Sequence, residues 1–144
     1  MAHEDAGHYA AKHPAGTELN SRIAEQIKAY AVDGRISCAA AHKIAEDLQV
    51  SAREVGVTID LLEIRINLCQ LGLFGRSREG KIVVPAKEVS PKVQQALEEA
   101  LDEKGLSCFA AWKLAEQFAM TRLEISSACE ALGIKLSRCQ LGTF

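Results

Sequence analysis

Apolar residues recur every fourth position at Leu19, Ile23, Ile27 and Ala31, and again at Val89, Val93, Leu97 and Leu101. That spacing lays one apolar stripe along a helix. Ser90-Pro91 is a start signal, an N-cap followed by proline at the first helical position. Asp33-Gly34 and Lys104-Gly105 read as the stops. A second helix is predicted from Cys38 to Gln49, with Ala41, Ile44, Ala45 and Leu48 facing inward. After the Val50-Ser51 turn a third helix runs to about Leu62, with Val55, Ile59 and Leu62 inward. Ser51 and Glu54 have the spacing of a capping box. Thr121 and Glu124 repeat it ahead of an inward set of Ile125, Cys129 and Leu132.

The same order of elements occurs twice because the sequence itself does. A shift of 70 aligns the two halves without a gap. Ile36-Ser37-Cys38 falls on Leu106-Ser107-Cys108, Lys43 to Glu46 on Lys113 to Glu116, and Cys69-Gln70-Leu71-Gly72 on Cys139-Gln140-Leu141-Gly142. Over 36–74, 15 of 39 positions are identical. The organisation that follows is a flexible tail over 1–18, a first repeat over 19–75, a linker or wing over 76–88, and a second repeat over 89–144. Each half is near the lower size limit for folding alone, so the halves are expected to pack on each other or on a second chain.

The stretches IAEDLQVSAREVGVTIDLL and LAEQFAMTRLEISSACEAL resemble the core of the helix-turn-helix superfamily. An alanine (Ala45, Ala115) lies inside the second helix, a short turn precedes Ser51 or Thr121, and a β-branched residue (Val55, Ile125) sits in the third helix. The turn position usually held by glycine is Gln49 in one copy and Ala119 in the other. After the first copy, Ile64-Arg65-Ile66, the basic loop RSREGK and the β-prone run Ile82-Val83-Val84-Pro85 are similar to a winged helix. A plain linker with one short strand is an equal reading. The fold class expected is therefore mainly α, a tandem of helix-turn-helix or winged-helix modules with short β segments.

The activity expected is sequence-specific DNA binding in transcriptional control, since the resemblance implies that the third helix enters the major groove of DNA and that its outward residues read bases. That face carries Ser51, Ala52, Arg53, Gly56, Val57 and Asp60 in the first copy. In the second it carries Thr121, Arg122, Leu123, Ser126, Ser127 and Glu130. Each has one arginine capable of a bidentate contact to guanine, and hydroxyls suited to phosphates. Two such units joined by about 14 residues would suit groove segments about 34 Å apart.

Charge tempers this reading. The net charge of −2 provides no dominant basic surface for phosphate neutralisation. Residues 34–75 hold four basic and five acidic groups, whereas 104–144 hold five basic and three acidic. The basic footprint is thus Arg76, Arg78 and Lys81 of the linker, with Arg122, Lys135 and Arg138 of the second copy. The candidate DNA-binding set is Ser51, Arg53, Arg76, Arg78, Lys81, Thr121, Arg122, Ser126, Ser127, Lys135 and Arg138. The competing class is a non-catalytic protein-interaction module on the same scaffold, with a protein partner or a second copy of the chain. The apolar Val57 and Leu123 favour it. So does Trp112, which replaces His42 at a position expected to be half exposed; filling the seam between the copies is its other role.

Four of five cysteines match between copies: Cys38 with Cys108 and Cys69 with Cys139. Four thiolates suggest zinc, an iron–sulfur cluster or a redox response. The absence of CxxC and the 31-residue separation within each copy favour small apolar core residues instead. No cofactor is therefore expected. His3, His8 and His13, five apart in the tail, do not share a helix face. No nucleophile elbow, phosphate loop or carboxylate pair appears, so no catalysis is expected. No apolar run approaches the roughly 20 residues of a membrane helix, and no secretory signal core is present. The odd cysteine count suits a reduced, cytoplasmic protein.

Overall fold

Local signals set the helices. In a computed structural model, which describes residues 9–76 and 80–143, the protein is mainly helical with a few short strands. The described residues form two compact units. Unit 1 contains the chain up to Cys69 together with the segment from Gln140. Unit 2 runs from Gln70 to Cys139.

Unit 1 contains α1 (Ser21–Tyr30), β1 (Arg35–Ser37), α2 (Cys38–Leu48), α3 (Ala52–Leu61) and β2 (Arg65–Asn67). Three side-chain caps start its helices. Asn20 Oδ1 accepts from Ile23 N at 3.1 Å, and Ser37 Oγ accepts from Ala40 N at 3.0 Å. Ser51 and Glu54 close the anticipated capping box, with Ser51 N donating to Glu54 Oε2 at 2.9 Å. Each cap satisfies an amide that the helix itself leaves unpaired, worth about 1 kcal/mol. The core is Ile23, Ile27, Ala41, Ile44, Ala45, Val55 and Ile59. Burying one such aliphatic side chain contributes about 2 kcal/mol.

The two strands pair in parallel, Arg35 with Arg65, Ile36 with Ile66 and Ser37 with Asn67. Parallel pairing needs a long crossover, and α2–α3 supplies it. Ile36 and Ile66 turn inward from this ladder, while both arginines stay exposed.

Unit 2 has the same order: α4 (Pro91–Glu99), β3 (Leu106–Ser107), α5 (Cys108–Gln117), α6 (Arg122–Leu132) and β4 (Leu136–Ser137). Ser90 caps α4 ahead of Pro91, Ser107 caps α5, and Thr121 with Glu124 forms the second capping box. β3 and β4 pair in parallel, Leu106 with Leu136. Val93, Leu97, Leu106, Ala111, Leu114, Ile125 and Cys129 are buried.

Three local expectations change. The glycine pairs do not stop α1 and α4, which end earlier at Tyr30 and Glu99. They form tight turns between helix and strand instead, closed by the bridges Val32–Arg35 and Asp102–Gly105. At Gly105 the close approach of the Lys135 carbonyl leaves no room for a Cβ. Second, Leu19 and Leu101 lie beyond the helix ends and are 47% and 40% exposed, so the apolar stripes are shorter than their four-residue spacing suggests.

Third, no strand–loop–strand wing forms among the described residues. Ile64-Arg65-Ile66 overlaps β2, whose partner is β1, and Ile82–Pro85 has no strand. The loop residues 77–79, Arg78 among them, lie outside the described residues. Ile82 N instead donates to Gly72 O at 2.9 Å, so this stretch packs on its own unit, and Pro85 has no amide to give a ladder.

Gln49 and Ala119 adopt left-handed backbone, at φ 56° and 53°. They stand at the turn where glycine was the expected residue, and both hold the glycine conformation without being glycine.

Candidate functional site

The third helix of each unit was the expected reading head, so its outward face decides what the site can do. In unit 1 two other parts of the chain reach that face. Gly56 is buried against the backbone of Leu141, whose carbonyl stands where a Cβ would project. Asp60, expected to be outward, is 6% exposed. Its Oδ2 accepts from His13 Nε2 at 2.8 Å and pairs with Lys12 Nζ at 3.1 Å. Glu63 completes this attachment: its carboxylate accepts from Tyr9 N at 2.9 Å and Ala10 N at 2.8 Å, at the start of the 3-10 turn Tyr9–Lys12. Tyr9 is buried. Within the 1–18 stretch, Tyr9, Ala10, Lys12 and His13 thus contact carboxylates of α3 and of the residue after its C-cap.

In unit 2 Gln70, Gly72, Lys81 and Ala86 contact the corresponding face of α6. Arg122 Nη1 donates to Gln70 Oε1 at 2.9 Å, and its guanidinium lies 3.5 Å from the centroid of the Trp112 ring. A Cβ at Gly72 would come within 2.6 Å of Leu123 Cδ1. Ala86 N donates to Ser127 O at 2.9 Å, and Lys81 Nζ pairs with Glu130 Oε2 at 2.8 Å. Ser126, projected outward from the sequence, is 1% exposed and its hydroxyl has no hydrogen-bond partner. It lies on the covered side of α6, so it is removed from the surface set.

The remaining candidates divide as follows. Ser51 and Thr121 are exposed N-caps whose hydroxyls accept helix amides. Arg138 pairs with Asp102 at 2.9 Å. Lys135 is exposed, and its carbonyl accepts from Leu106 N. Arg76 is exposed in unit 2 and Arg53 in unit 1. Of the basic groups expected to form one footprint, Lys81, Arg122 and Arg138 thus have partners within unit 2.

Arg53 borders a groove of unit 1, a space of about 430 Å³ with Leu19, Ile23, Val57 and Thr58 in its lining. Leu19 and Val57 give it an apolar side and Arg53 a cation, and the carboxylates Glu18 and Glu54 also line it. Sequence reasoning named Arg53 and Val57 but not the groove. The signal was Leu19, an apolar residue just ahead of the Asn20 cap.

All five cysteines are free thiols; Cys139 is half buried and the other four are buried. Burial pushes the Cys129 thiol up to about 11, with a smaller contribution from the charge of Glu130. Among the described residues no group of three or more histidine, cysteine, aspartate or glutamate side chains that could hold a metal ion is found. Also among those residues, no helix is long and apolar enough to cross a membrane.

No protein-family model matches the chain, and no curated protein and no solved structure matches it.

Proposed function

We propose that the protein is a non-catalytic docking module on a helix-turn-helix-like scaffold, rather than a regulator that reads the major groove. One observation carries this reading: the chain itself covers the face of α3 and α6 that would have to enter a groove. Gly56 and Asp60 are buried in one unit, and Ser126 is buried and Arg122 held by Gln70 in the other. Reading bases through this face would require residues 9–13 and 140–143 to leave α3, or Gln70, Gly72, Lys81 and Ala86 to leave α6. The groove beside Arg53 remains open, and its mixture of an apolar wall, one cation and the carboxylates of Glu18 and Glu54 suits a peptide better than a phosphate backbone.

Two measurements test the reading. In a titration of labelled mixed-sequence duplex at low salt, the expected result is no saturable binding. Salt-sensitive binding that Arg53→Ala and Arg76→Ala weaken would restore the DNA-binding reading. In cells, a photo-crosslinking residue placed at Val57 is expected to give one discrete protein adduct, and the same residue at Lys92 none. Equal labelling from both positions would count against docking through the groove.

A further inference from the structure

The two units share a scaffold, and several positions at which the copies differ lie together on α5 and at the start of α6. Phe109 stands where unit 1 has Ala39, and Trp112 where it has His42. Gln117 stands in place of Asp47, and Arg122 in place of Ala52. The buried positions between them keep their character: Cys108, Ala111, Leu114 and Ala115 match Cys38, Ala41, Ile44 and Ala45. Unit 2 thus has two large aromatic rings and an arginine that unit 1 lacks here, and one carboxylate fewer. The arginine of α3 is one residue later, at Arg53, and lines the groove with Leu19 and Ile23 instead.

Both rings carry a cation. Lys113 Nζ lies 4.8 Å from the centroid of the Phe109 ring, and the Arg122 guanidinium 3.5 Å from that of Trp112. Phe109 is 56% exposed, the most exposed aromatic side chain among the described residues, while Trp112 is half buried. Residues three apart on a helix are neighbours on its surface, so Phe109 and Trp112 make one patch. Neither cation is neutralised by an acid. In unit 1 Lys43 pairs with Asp47 at 3.4 Å. With Gln117 in the matching place, Lys113 has no carboxylate partner among the described residues, and neither has Arg122. The first turn of α5 also holds no acidic residue to offset the positive end of the helix.

We infer that this face of unit 2 is a second docking surface, and that its partner is an acidic protein segment in which carboxylates flank an apolar side chain. Exposed aromatic area beside an arginine is the composition of an interface hot spot. Carboxylates of the partner pair with Lys113 and Arg122, and its apolar side chain takes the Phe109 ring out of water. The rings already order both cations, so binding costs less side-chain entropy than it would for a free lysine and arginine. A single-stranded nucleic acid fits this face less well. Bases stack on open ring faces, and on each ring a cation occupies one face. Two cations are also few for a phosphate backbone in a chain of net charge −2. The surface lies in unit 2 and the Arg53 groove in unit 1, so either docking site can fail without the other.

The probe is a short fluorescein-labelled peptide of glutamates interspersed with leucine and phenylalanine, titrated with the full-length chain at low salt. Saturable binding is expected, and the unlabelled peptide is expected to change Trp112 emission. Phe109→Ala and Lys113→Ala together should weaken binding by at least about tenfold. Gln117→Asp gives Lys113 the acidic neighbour that Lys43 has, and should weaken binding severalfold with Lys113 still in place. Phe109, Lys113 and Gln117 are exposed, so helical circular dichroism should stay unchanged in these variants. Lys92→Ala, which removes an exposed cation of α4, should leave binding as it is. No saturable binding would overturn the inference. So would equal binding of the peptide with glutamine in place of glutamate, or full binding by the Phe109 and Lys113 double variant. Tighter binding of oligothymidylate than of the peptide would assign the face to single-stranded nucleic acid and overturn the inference as well.

Discussion

The Arg122 guanidinium stacks 3.5 Å from the centre of the Trp112 ring while donating a hydrogen bond to Gln70. An arginine of the candidate DNA-binding set is thereby held within its own unit. A stacked, partly desolvated cation–π pair is worth about 1 kcal/mol. Arg122→Ala is expected to lower stability by about that amount. Since Trp112 is the sole tryptophan, its emission should shift to the red. Arg122→Lys should recover little, because it lacks the planar face. An unchanged spectrum and an unchanged urea midpoint would contradict the stacking.

Ser126 offers a test in the opposite direction. Its hydroxyl is buried and unpaired, a situation that costs about 1–3 kcal/mol. Ser126→Ala is expected to stabilise the protein by about 1 kcal/mol in chemical denaturation, since the methyl group fits the same space. Destabilisation by more than that would mean the hydroxyl has a partner in solution.

The turn residues Gln49 and Ala119 lie at positive φ, where a side chain costs about 1 kcal/mol or more relative to glycine. Gln49→Gly and Ala119→Gly are each expected to raise the melting temperature by a few degrees, the stability gain exceeding the added chain entropy. A lower melting temperature for both would show that the side chains contribute contacts that outweigh the strain.

Asp60 fastens the residues ahead of α1 to α3. Removing its carboxylate leaves the Lys12 and His13 side chains without it, a loss of about 1–3 kcal/mol for a pair this enclosed. Asp60→Ala is expected to speed tryptic cleavage after Lys12 severalfold without altering helical circular dichroism. Cleavage at the wild-type rate would show that Glu63 alone holds the segment.

Two ionisations check the local environments. Folding raises the Cys129 thiol from 9.0 to about 11, chiefly by burial. The unfolded chain then loses its proton first, so this contribution to stability is complete below pH 9 and fades as the pH rises toward 11. Thiol reagents at pH 8 should modify half-buried Cys139 well before Cys129. Glu124 is shifted the other way. The Thr121 amide and hydroxyl hold its carboxyl below 4.5, and that contribution is lost as the pH falls through the lowered value. Thr121→Ala should return the Glu124 titration, followed by NMR, toward 4.5.

Much of the secondary structure was legible because its causes are local. Ser37, Ser51, Ser90, Ser107 and Thr121 cap helices through hydrogen bonds spanning three residues; the Ser51, Ser90 and Thr121 caps were read from such signals, whereas β1 and β3 were not. The buried faces of α2, α3, α5 and α6 followed from apolar spacing. The wing was misread because Ile82-Val83-Val84 has strand propensity, yet propensity does not say which edge is free to pair. Here β2 already had β1.

The candidate site was the least legible part. The sequence by itself determined the order of the helices, the Ser51, Ser90 and Thr121 caps, the inward faces of α2, α3, α5 and α6, and the 70-residue correspondence between the halves. Only the tertiary structure decided that Gly56, Asp60 and Ser126 are covered. Periodicity identifies the side of α3 or α6 that faces its own three-helix core. It carries no information about segments that arrive from 47 residues before, as His13 does at Asp60, or from 52 residues before, as Gln70 does at Arg122. A polar or small residue pointing away from one core has the same pattern whether it meets water or another part of the chain.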